Sequence, residues 1–493
     1  MRQKTVSAWL AAMAVLYGLY FWGMSRRGLV GPDEPRYAAI AREMAVSGDW
    51  VTPRLDGEPW FEKPALLYWM GAAAARLGFD DDRATRLPVA LLSVGFLIYF
   101  YLALASSFGR NAAVLATMIL GTSVGWVAFS HAGIFDVPLA VTVSVALISL
   151  LPWIEQAERS ERPPPLIFGG FLGLSVLAKG LVGPAVAALA LLPLLAEAGL
   201  RNRLLSLVRP GILLAFAAVS LPWYALCYFQ NGAVFVEDFI WKHHVVRFVS
   251  SELQHVQPAW YFVPVLLGAL LPWTPLLGVL PRLAIGSDAR LRFLAGWAAT
   301  TFLFFSLSVN KLPAYILPAL PPLAVLMGVG LAKARRPVIL LTSAALLLML
   351  VPIGAALAPE AMSHGLRRAW PPSNVSWVWV AAVLLAAAGV AIAAARGTTA
   401  ATTAVAAVAA VSLVLLKIAA VPEIDRQAGT RPLWQQIKPR HEATCLGDVR
   451  RHVVYGLRYY SMGRLPDCSA ESRPFRVESD PPRIVHVGTA SAP

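Results

Sequence analysis

The chain has 493 residues, of which 57% are hydrophobic and 14% charged, with a mean hydropathy of +0.61. Soluble globular chains carry about 25% charged residues, and disorder needs low hydrophobicity, so a water-soluble enzyme and a disordered chain are both excluded. The net charge of +14 fits the basic bias of membrane-protein inner loops or anionic lipid partners. No separate basic, aromatic-rich module speaks for nucleic acid.

A spanning helix needs about 20 apolar residues. Thirteen stretches qualify, near 7–24, 86–106, 111–130, 133–153, 165–179, 180–196, 210–229, 259–279, 292–309, 312–332, 337–357, 376–395 and 400–421. No cleavage site follows the first, so it reads as an anchor. Lys and Arg on one set of short connections (Arg2, Lys4, Arg110, Arg201, Arg203, Lys333 and others) outnumber those opposite (Lys179, Lys242, Arg247, Lys311, Arg367, Arg368). That bias puts the N-terminus inside, and an odd number of spans puts the tail outside. The expected organisation is an all-α polytopic membrane domain over 1–421. Its first outer loop, 25–85, carries interfacial helices, and a small soluble α/β appendix covers 422–493.

The first outer loop reads GPDEPRYAAIAREMAVSGDWVTPRLDGEPWFEKPALLYW. Pro35 opens a predicted helix and Gly48 closes it. Tyr37, Ile40, Ala41 and Met44 form one apolar stripe, with Arg36, Arg42 and Glu43 on the other faces, so this helix can lie in the membrane interface. Asp33 and Glu34 sit at its mouth. Asp33 reads either as a helix N-cap or as a carboxylate placed to orient or deprotonate an acceptor. A second helix follows Pro64. Just before it, Glu62 and Lys63 stand together. Lys63 reads as a snorkelling lysine or as a point charge for a lipid phosphate.

Further along, Asp136 lies at the start of the fourth span, as a helix cap or as a functional intramembrane carboxylate. Lys179 separates two apolar runs, as a loop lysine or a pocket residue. The segment VEDFIWKHHVVRF holds His243, His244 and Arg247. One histidine could join Glu62 at a metal or serve as an interface hydrogen-bonder, and Arg247 suits a phosphate fork. Lys311 and Tyr315 open the tenth span, where Pro313 and Pro318 can bend the helix. In the N-inside arrangement all these groups meet at the outer surface, where a lipid headgroup sits. A transporter would place its polar groups near the midplane instead. The tail has strand-like runs at 453–455 and 483–487. Cys445 and Cys468 can bridge where the tail faces an oxidising compartment, while Cys227 reads as inert packing.

GPDEPRYAAIAREM, GDWVTPRLDGEPWFEKPALLYW, HAGIFD, LAKG, HHVVRF and KLPAYILP together resemble the bacterial 4-amino-4-deoxy-L-arabinose lipid A transferases and their relatives. These are polyprenyl-phosphate-dependent glycosyltransferases of the GT-C fold, related to protein O-mannosyltransferases. The resemblance runs through the first ten spans and more loosely into the tail. It implies thirteen spans, a periplasmic tail in the bacterial inner membrane, and inverting transfer of a sugar from an undecaprenyl-phosphate carrier. By motif, Asp33 and Asp136 match the acidic catalytic positions, and Lys63 matches the lysine that holds the carrier phosphate, with Arg247 assisting. Arg36, Tyr37, Lys179 and Tyr315 fall in the donor-binding set. Glu62 and His244 resemble a divalent-metal pair.

On this reading Lys63 and Arg247 stabilise the departing phosphate. A lipid A phosphate as acceptor needs no strong base, which leaves Asp33 and Asp136 to bind a sugar amino group. A hydroxyl acceptor would make Asp33 the general base. The alternatives are a same-fold transferase acting on another glycan or a protein, and a lipid or solute transporter.

Overall fold

The computed structural model describes residues 2–79, 81–155, 163–196, 198–239, 256–283, 285–335, 337–364, 377–463, 465–478 and 483–486. Each of the thirteen apolar stretches is helical over most of its described length. Among the described residues, seven helices are long and apolar enough to cross a membrane. Ala259–Ala269 and Thr274–Arg282, bent by 102° at their junction, add an eighth when taken as one broken span. The stretches at 111–130, 165–179 and 180–196 form shorter helices, including Arg110–Gly121 and Val182–Ala196. Pro313 and Pro318 give the tenth stretch a tight 3-10 turn over Pro313–Ala319 before its α-helix, Leu320–Lys333.

The site is positioned by nine helices: α1 (Arg2–Tyr20), α2 (Asp33–Ser47), α3 (Leu66–Arg76), α4 (Asp81–Phe108), α5 (Asp136–Ser149), α6 (Leu166–Lys179), α7 (Thr398–Ala428), α8 (Arg431–Ile437) and α9 (Arg451–Ser461). The first-loop helix begins at Asp33, two residues before Pro35, because proline is tolerated in a first helical turn. Gly48 ends it at φ 75°, a left-handed cap that suits glycine. Its N-terminal half is enclosed by protein, for Glu34 and Arg36 are buried together with Tyr37, Ile40, Ala41 and Met44. The helix suited to the membrane interface packs instead against α3, α4 and the tail helix α9.

Between α2 and α3 a small hairpin pairs β1 (Arg54–Leu55) with β2 (Glu58–Pro59). Its turn is Asp56-Gly57, both at positive φ, the pairing a tight hairpin favours. Glu43 on α2 accepts from both turn N–H groups, at 2.8 and 3.0 Å. The hairpin is thereby clamped to α2 and delivers Trp60, Phe61, Glu62 and Lys63 beside it.

In the tail, β3 (Thr444–Leu446) runs parallel to β4 (Phe475–Glu478), which pairs antiparallel with β5 (Arg483–His486). The run at 483–487 is a strand as far as it is described. The run at 453–455 is helical, inside α9. Its alternation lasts only three residues, whereas Val453, Gly456, Leu457 and Tyr459 are buried at helical spacing. Cys445 and Cys468, which the sequence left able to bridge, are joined, and Cys227 is free and buried. The last apolar helix, α7, runs on past residue 421 to Ala428 and leads straight into α8. Lys417 of α7 donates to the carbonyls of Gly18 and Leu19, at 2.8 and 3.1 Å, and lies 2.9 Å from His131 Nε2. First and last spans are thus tied beside the turn before α5.

Replacing Cys445 and Cys468 with serine removes a closure whose entropy is worth about 3 kcal/mol for a loop of this size. Limited proteolysis should then cut the tail faster, while the membrane helices keep their resistance.

Candidate active site

Asp33 does not cap α2. Pro32 holds the cap position, without a side-chain hydrogen bond. The Asp33 carboxylate instead accepts from Arg36 Nη2 at 2.7 Å, one turn further on. The same guanidinium reaches Glu62 through Nη1 at 3.0 Å, and Lys63 Nζ lies 3.7 Å from the other Glu62 oxygen. One buried arginine therefore spans two carboxylates, and a lysine stands behind the second. Burial works against the Arg36 charge, but Glu62 and then the other neighbours outweigh it and raise its pKa above the ordinary arginine value. Asp33 is the open end of this chain. Its side chain is 40% exposed, against 4% for Arg36 and 9% for Glu62.

Aromatic rings close around Arg36. Its guanidinium carbon lies 5.2 Å from the Tyr37 ring, 5.7 Å from Trp60 and 5.4 Å from Tyr455 of the tail. Three buried donors here, Arg36 Nε, Trp60 Nε1 and the Tyr68 hydroxyl, have no hydrogen-bond partner among the described residues. Buried polar groups rarely stay unpaired, so such a set marks a place for polar ligand atoms. Burial raises the pKa values of Tyr37 and Tyr68, so both phenols remain protonated.

A second ion pair lies behind Phe135. The rings of Tyr37 and Tyr68 meet Phe135 edge-on, with centroids at 4.8 and 5.3 Å. The next residue, Asp136, opens α5 and accepts from Lys179 Nζ at 2.5 Å. Lys179 ends α6 and sits 4.1 Å from the centre of the Tyr315 ring. Each charge occupies the favourable end of its helix, the carboxylate at an N-terminus and the ammonium at a C-terminus. Asp33, Arg36, Tyr37, Glu62 and Lys63 are thus gathered in one cluster. Asp136, Lys179 and Tyr315 form another, joined to the first through Phe135.

His244 and Arg247, like Lys242 and His243, lie outside the described residues. The metal pair fits poorly on the Glu62 side, where Arg36 and Lys63 already engage the carboxylate. Among the described residues no three His, Cys, Asp or Glu side chains are grouped for a metal.

The sequence reading missed the pair beneath the cluster. Glu34 and Arg86 meet bidentately, Nε to Oε1 at 2.7 Å and Nη2 to Oε2 at 2.6 Å, both side chains sealed from solvent. Glu34 also accepts from the N–H of Val30 at 3.1 Å and of Gly133 at 3.0 Å. Gly133 is required in HAGIFD because a Cβ there would collide with Thr85. The signal was present, since Arg86 is a cation at the edge of a long apolar run. Burial pushes the Glu34 carboxyl up, yet the Arg86 charge and hydrogen bonds overcome this and hold it near 2.

A family model described as dolichyl-phosphate-mannose-protein mannosyltransferase matches residues 5–237. The undecaprenyl phosphate-α-4-amino-4-deoxy-L-arabinose arabinosyl transferase of Edwardsiella ictaluri is 34% identical over 339 residues, covering 66% of this chain and 59% of the relative. The protein of that name from Yersinia pestis (strain Pestoides F) is 30% identical over 405 residues, covering 78% and 70%. The chain therefore spans less than two thirds of the Edwardsiella relative's length and somewhat more of the Yersinia one's. The crystal structure of ArnT from Cupriavidus metallidurans in the apo state has a TM-score of 0.74 at 25% identity, covering 96% of this chain and 93% of that one. The same protein bound to undecaprenyl phosphate gives 0.75 at 23%, covering 96% and 94%. The archaeal oligosaccharyltransferase AglB from Archaeoglobus fulgidus aligns at 0.50 and 16% identity, over 87% of this chain and 57% of that one. The chain is a multi-pass membrane protein with the GT-C fold.

Glu34→Gln leaves the buried Arg86 without its counter-charge and should cost about 3–5 kcal/mol, read as a lower melting temperature of the detergent-solubilised protein. The pH dependence follows from the depressed carboxyl. Its stabilisation is complete above the ordinary glutamate value of 4.5 and fades as pH falls towards about 2. Wild type should lose stability across that window, and Glu34→Gln should lose less.

Proposed function

The chain belongs to the undecaprenyl phosphate-α-4-amino-4-deoxy-L-arabinose arabinosyl transferase family, and on that premise we propose that it is an integral-membrane inverting glycosyltransferase. It moves 4-amino-4-deoxy-L-arabinose from undecaprenyl phosphate to a phosphate of lipid A. The observation that carries this reading is the Asp33–Arg36–Glu62–Lys63 chain, with three unpartnered buried donors around it. Cations and donors of this kind suit a phosphate that gains charge as a sugar leaves it.

In the reaction, an acceptor phosphate oxygen attacks the anomeric carbon from the face opposite the carrier. The new C–O bond forms as the bond to the carrier phosphate breaks, and the electron pair goes to undecaprenyl phosphate. The nucleophile is already anionic, so no proton need be removed from it. Lys63 holds the carrier phosphate as a point charge, and Arg247 assists on its motif alone. Arg36 acts beside it and holds Asp33 in place. Asp33, the most exposed carboxylate of the cluster, takes the sugar's amino group. Asp136, neutralised by Lys179, sets the geometry of the wall behind, with Tyr37 and Tyr315 as flanking surfaces.

We place the protein in a bacterial inner membrane, with the N-terminus cytoplasmic and the site and tail periplasmic. The Cys445–Cys468 bridge supports that side for the tail. The chain divides into a membrane domain over 1–421 and a soluble periplasmic unit over 422–493. A protein or another envelope glycan as acceptor is a second reading, supported by the mannosyltransferase model that matches 5–237.

Lipid A from a strain lacking the gene, complemented with wild type or variants, tests the reading by mass spectrometry. Wild type should restore an aminoarabinose-sized addition. Lys63→Ala should reduce transfer about 100-fold or more at unchanged protein level. Asp33→Asn, which keeps the shape of the side chain, should fail similarly. Lipid A left unmodified by well-expressed wild type would overturn the acceptor assignment.

A further inference from the structure

The tail contributes to the wall of the site. Tyr455 is one of the three rings around the Arg36 guanidinium, and it comes from α9, more than 400 residues along the chain from Asp33. Helix α9 is fixed on the first loop by specific bonds. Arg42 Nη2 donates to the Tyr459 carbonyl at 2.8 Å, and the Arg42 guanidinium lies 4.3 Å from the Tyr459 ring centre. Arg458 pairs with Asp56 of the hairpin turn at 3.3 Å and with Asp467 at 3.2 Å. Tyr455 cannot drift away from Arg36 without breaking this dock.

Arg451, one helical turn earlier, also lies against Tyr455. Its guanidinium carbon is 5.4 Å from the Tyr455 ring centre, and Nη2 and Nε lie 3.3 and 3.4 Å from the Tyr455 hydroxyl. The ring is thus shared by two arginines with different surroundings. Arg36 is buried between Asp33 and Glu62. Arg451 is exposed, and its contacts within the described structure are those with Tyr455. Arg458, on the same helix, is neutralised by two carboxylates, whereas no described carboxylate pairs with Arg451. An exposed guanidinium, steadied by an aromatic ring and carrying no counter-charge, is a bidentate receptor for a phosphate monoester.

We propose that Arg451 is an anion-binding residue of the acceptor side, taking a phosphate monoester of the incoming lipid one aromatic ring away from the Asp33–Arg36–Glu62 cluster. This rests on the reading of the protein as a transferase to phosphorylated lipid A. Tyr455 is the positioning residue, holding the Arg451 fork at a fixed distance from Arg36. The assignment gives the tail a substrate role. It also separates two anions, with the carrier phosphate at Lys63 and the non-reacting phosphate of the acceptor lipid at α9.

The test uses the full-length protein in lipid nanodiscs, with two measurements on wild type, Arg451→Gln and Arg451→Lys. The first is binding of bisphosphorylated lipid A, of monophosphorylated lipid A and of inorganic phosphate. The second is steady-state transfer from undecaprenyl-phosphate aminoarabinose. Wild type should prefer the bisphosphorylated lipid. Arg451→Gln should abolish that preference and raise KM for the acceptor about tenfold, with KM for the donor unchanged, and Arg451→Lys should recover part of both. Competition by millimolar inorganic phosphate, lost in Arg451→Gln, would make the site a general phosphate receptor. Competition by lipid alone would tie it to the headgroup. Equal preference in wild type and Arg451→Gln, with melting temperatures matched, would overturn the proposal even if transfer is normal. A preference lost in Arg451→Gln, in a wild-type protein that transfers nothing, would keep the anion site and reject the transfer reading.

Discussion

The arrangement of the site depends on a carboxylate and a guanidinium held away from water at the head of α2. Placing two charges there is costly unless geometry and hydrogen bonding are nearly complete. For Glu34 and Arg86 they are. All five Arg86 N–H donors are used, two by the Glu34 oxygens and three by the carbonyls of Met24, Arg27 and Gly28. The carboxylate in turn accepts two backbone N–H groups. This pair joins three parts of the chain far apart in sequence: the segment that runs from α1 into α2, the head of α4 and the HAGIFD turn. Asp33 follows from the first junction, since it precedes Glu34. Asp136 follows from the second, since it lies three residues beyond Gly133. The two carboxylates thus owe their relative placement to an ion pair that touches neither.

Around this base the charges grade from sealed to open. Glu34 and Arg86 are wholly enclosed, and Arg36 and Glu62 nearly so. Asp136 and Lys179 are mostly covered, and Asp33 reaches solvent. This order suits the proposed handling of a charged headgroup. On the proposed function, fully paired inner groups would hold the outer ones aligned before a substrate arrives. The aromatic rings serve the same end, because Tyr37, Trp60 and Tyr455 surround Arg36 without supplying further counter-charge, which leaves part of its field available.

Much of this was legible in the sequence, for identifiable reasons. The apolar stretches announced their helices by length and hydropathy, and Gly48 and Pro64 marked the ends of the first-loop elements. Charges such as Asp136 and Lys179 pair because each lies at the edge of an apolar run, with few places to be neutralised. What stayed hidden was pairing at long separation. Nothing local connects Glu34 with Arg86, or Arg36 with Tyr455, and the three-residue run at 453–455 was too short to separate strand from helix. The N-cap reading of Asp33 failed for a tertiary reason, because Arg36 one turn away competes for the carboxylate more strongly than the backbone N–H groups do.

The tail shows the same principle at larger scale. Helices α8 and α9 meet the membrane domain through paired charges and hydroxyls. Arg431 bridges Asp82 of α4 and Asp425 of α7 at 2.8 and 3.0 Å. The Tyr460 hydroxyl donates to Asp82 at 2.8 Å and accepts from the Leu29 N–H at 2.9 Å. Asp425 accepts from the N–H of Gly28, whose carbonyl in turn accepts from Arg86. A continuous path of hydrogen bonds therefore runs from the tail to the ion pair beneath the site. Each contact is between groups that would otherwise carry an unmet desolvation cost, so the tail is held by the requirement that buried polar atoms be paired. A polar dock of this kind specifies one orientation, which a purely apolar contact would not. That single orientation is what brings Tyr455 against Arg36 and leaves Arg451 facing outward at the edge of the site.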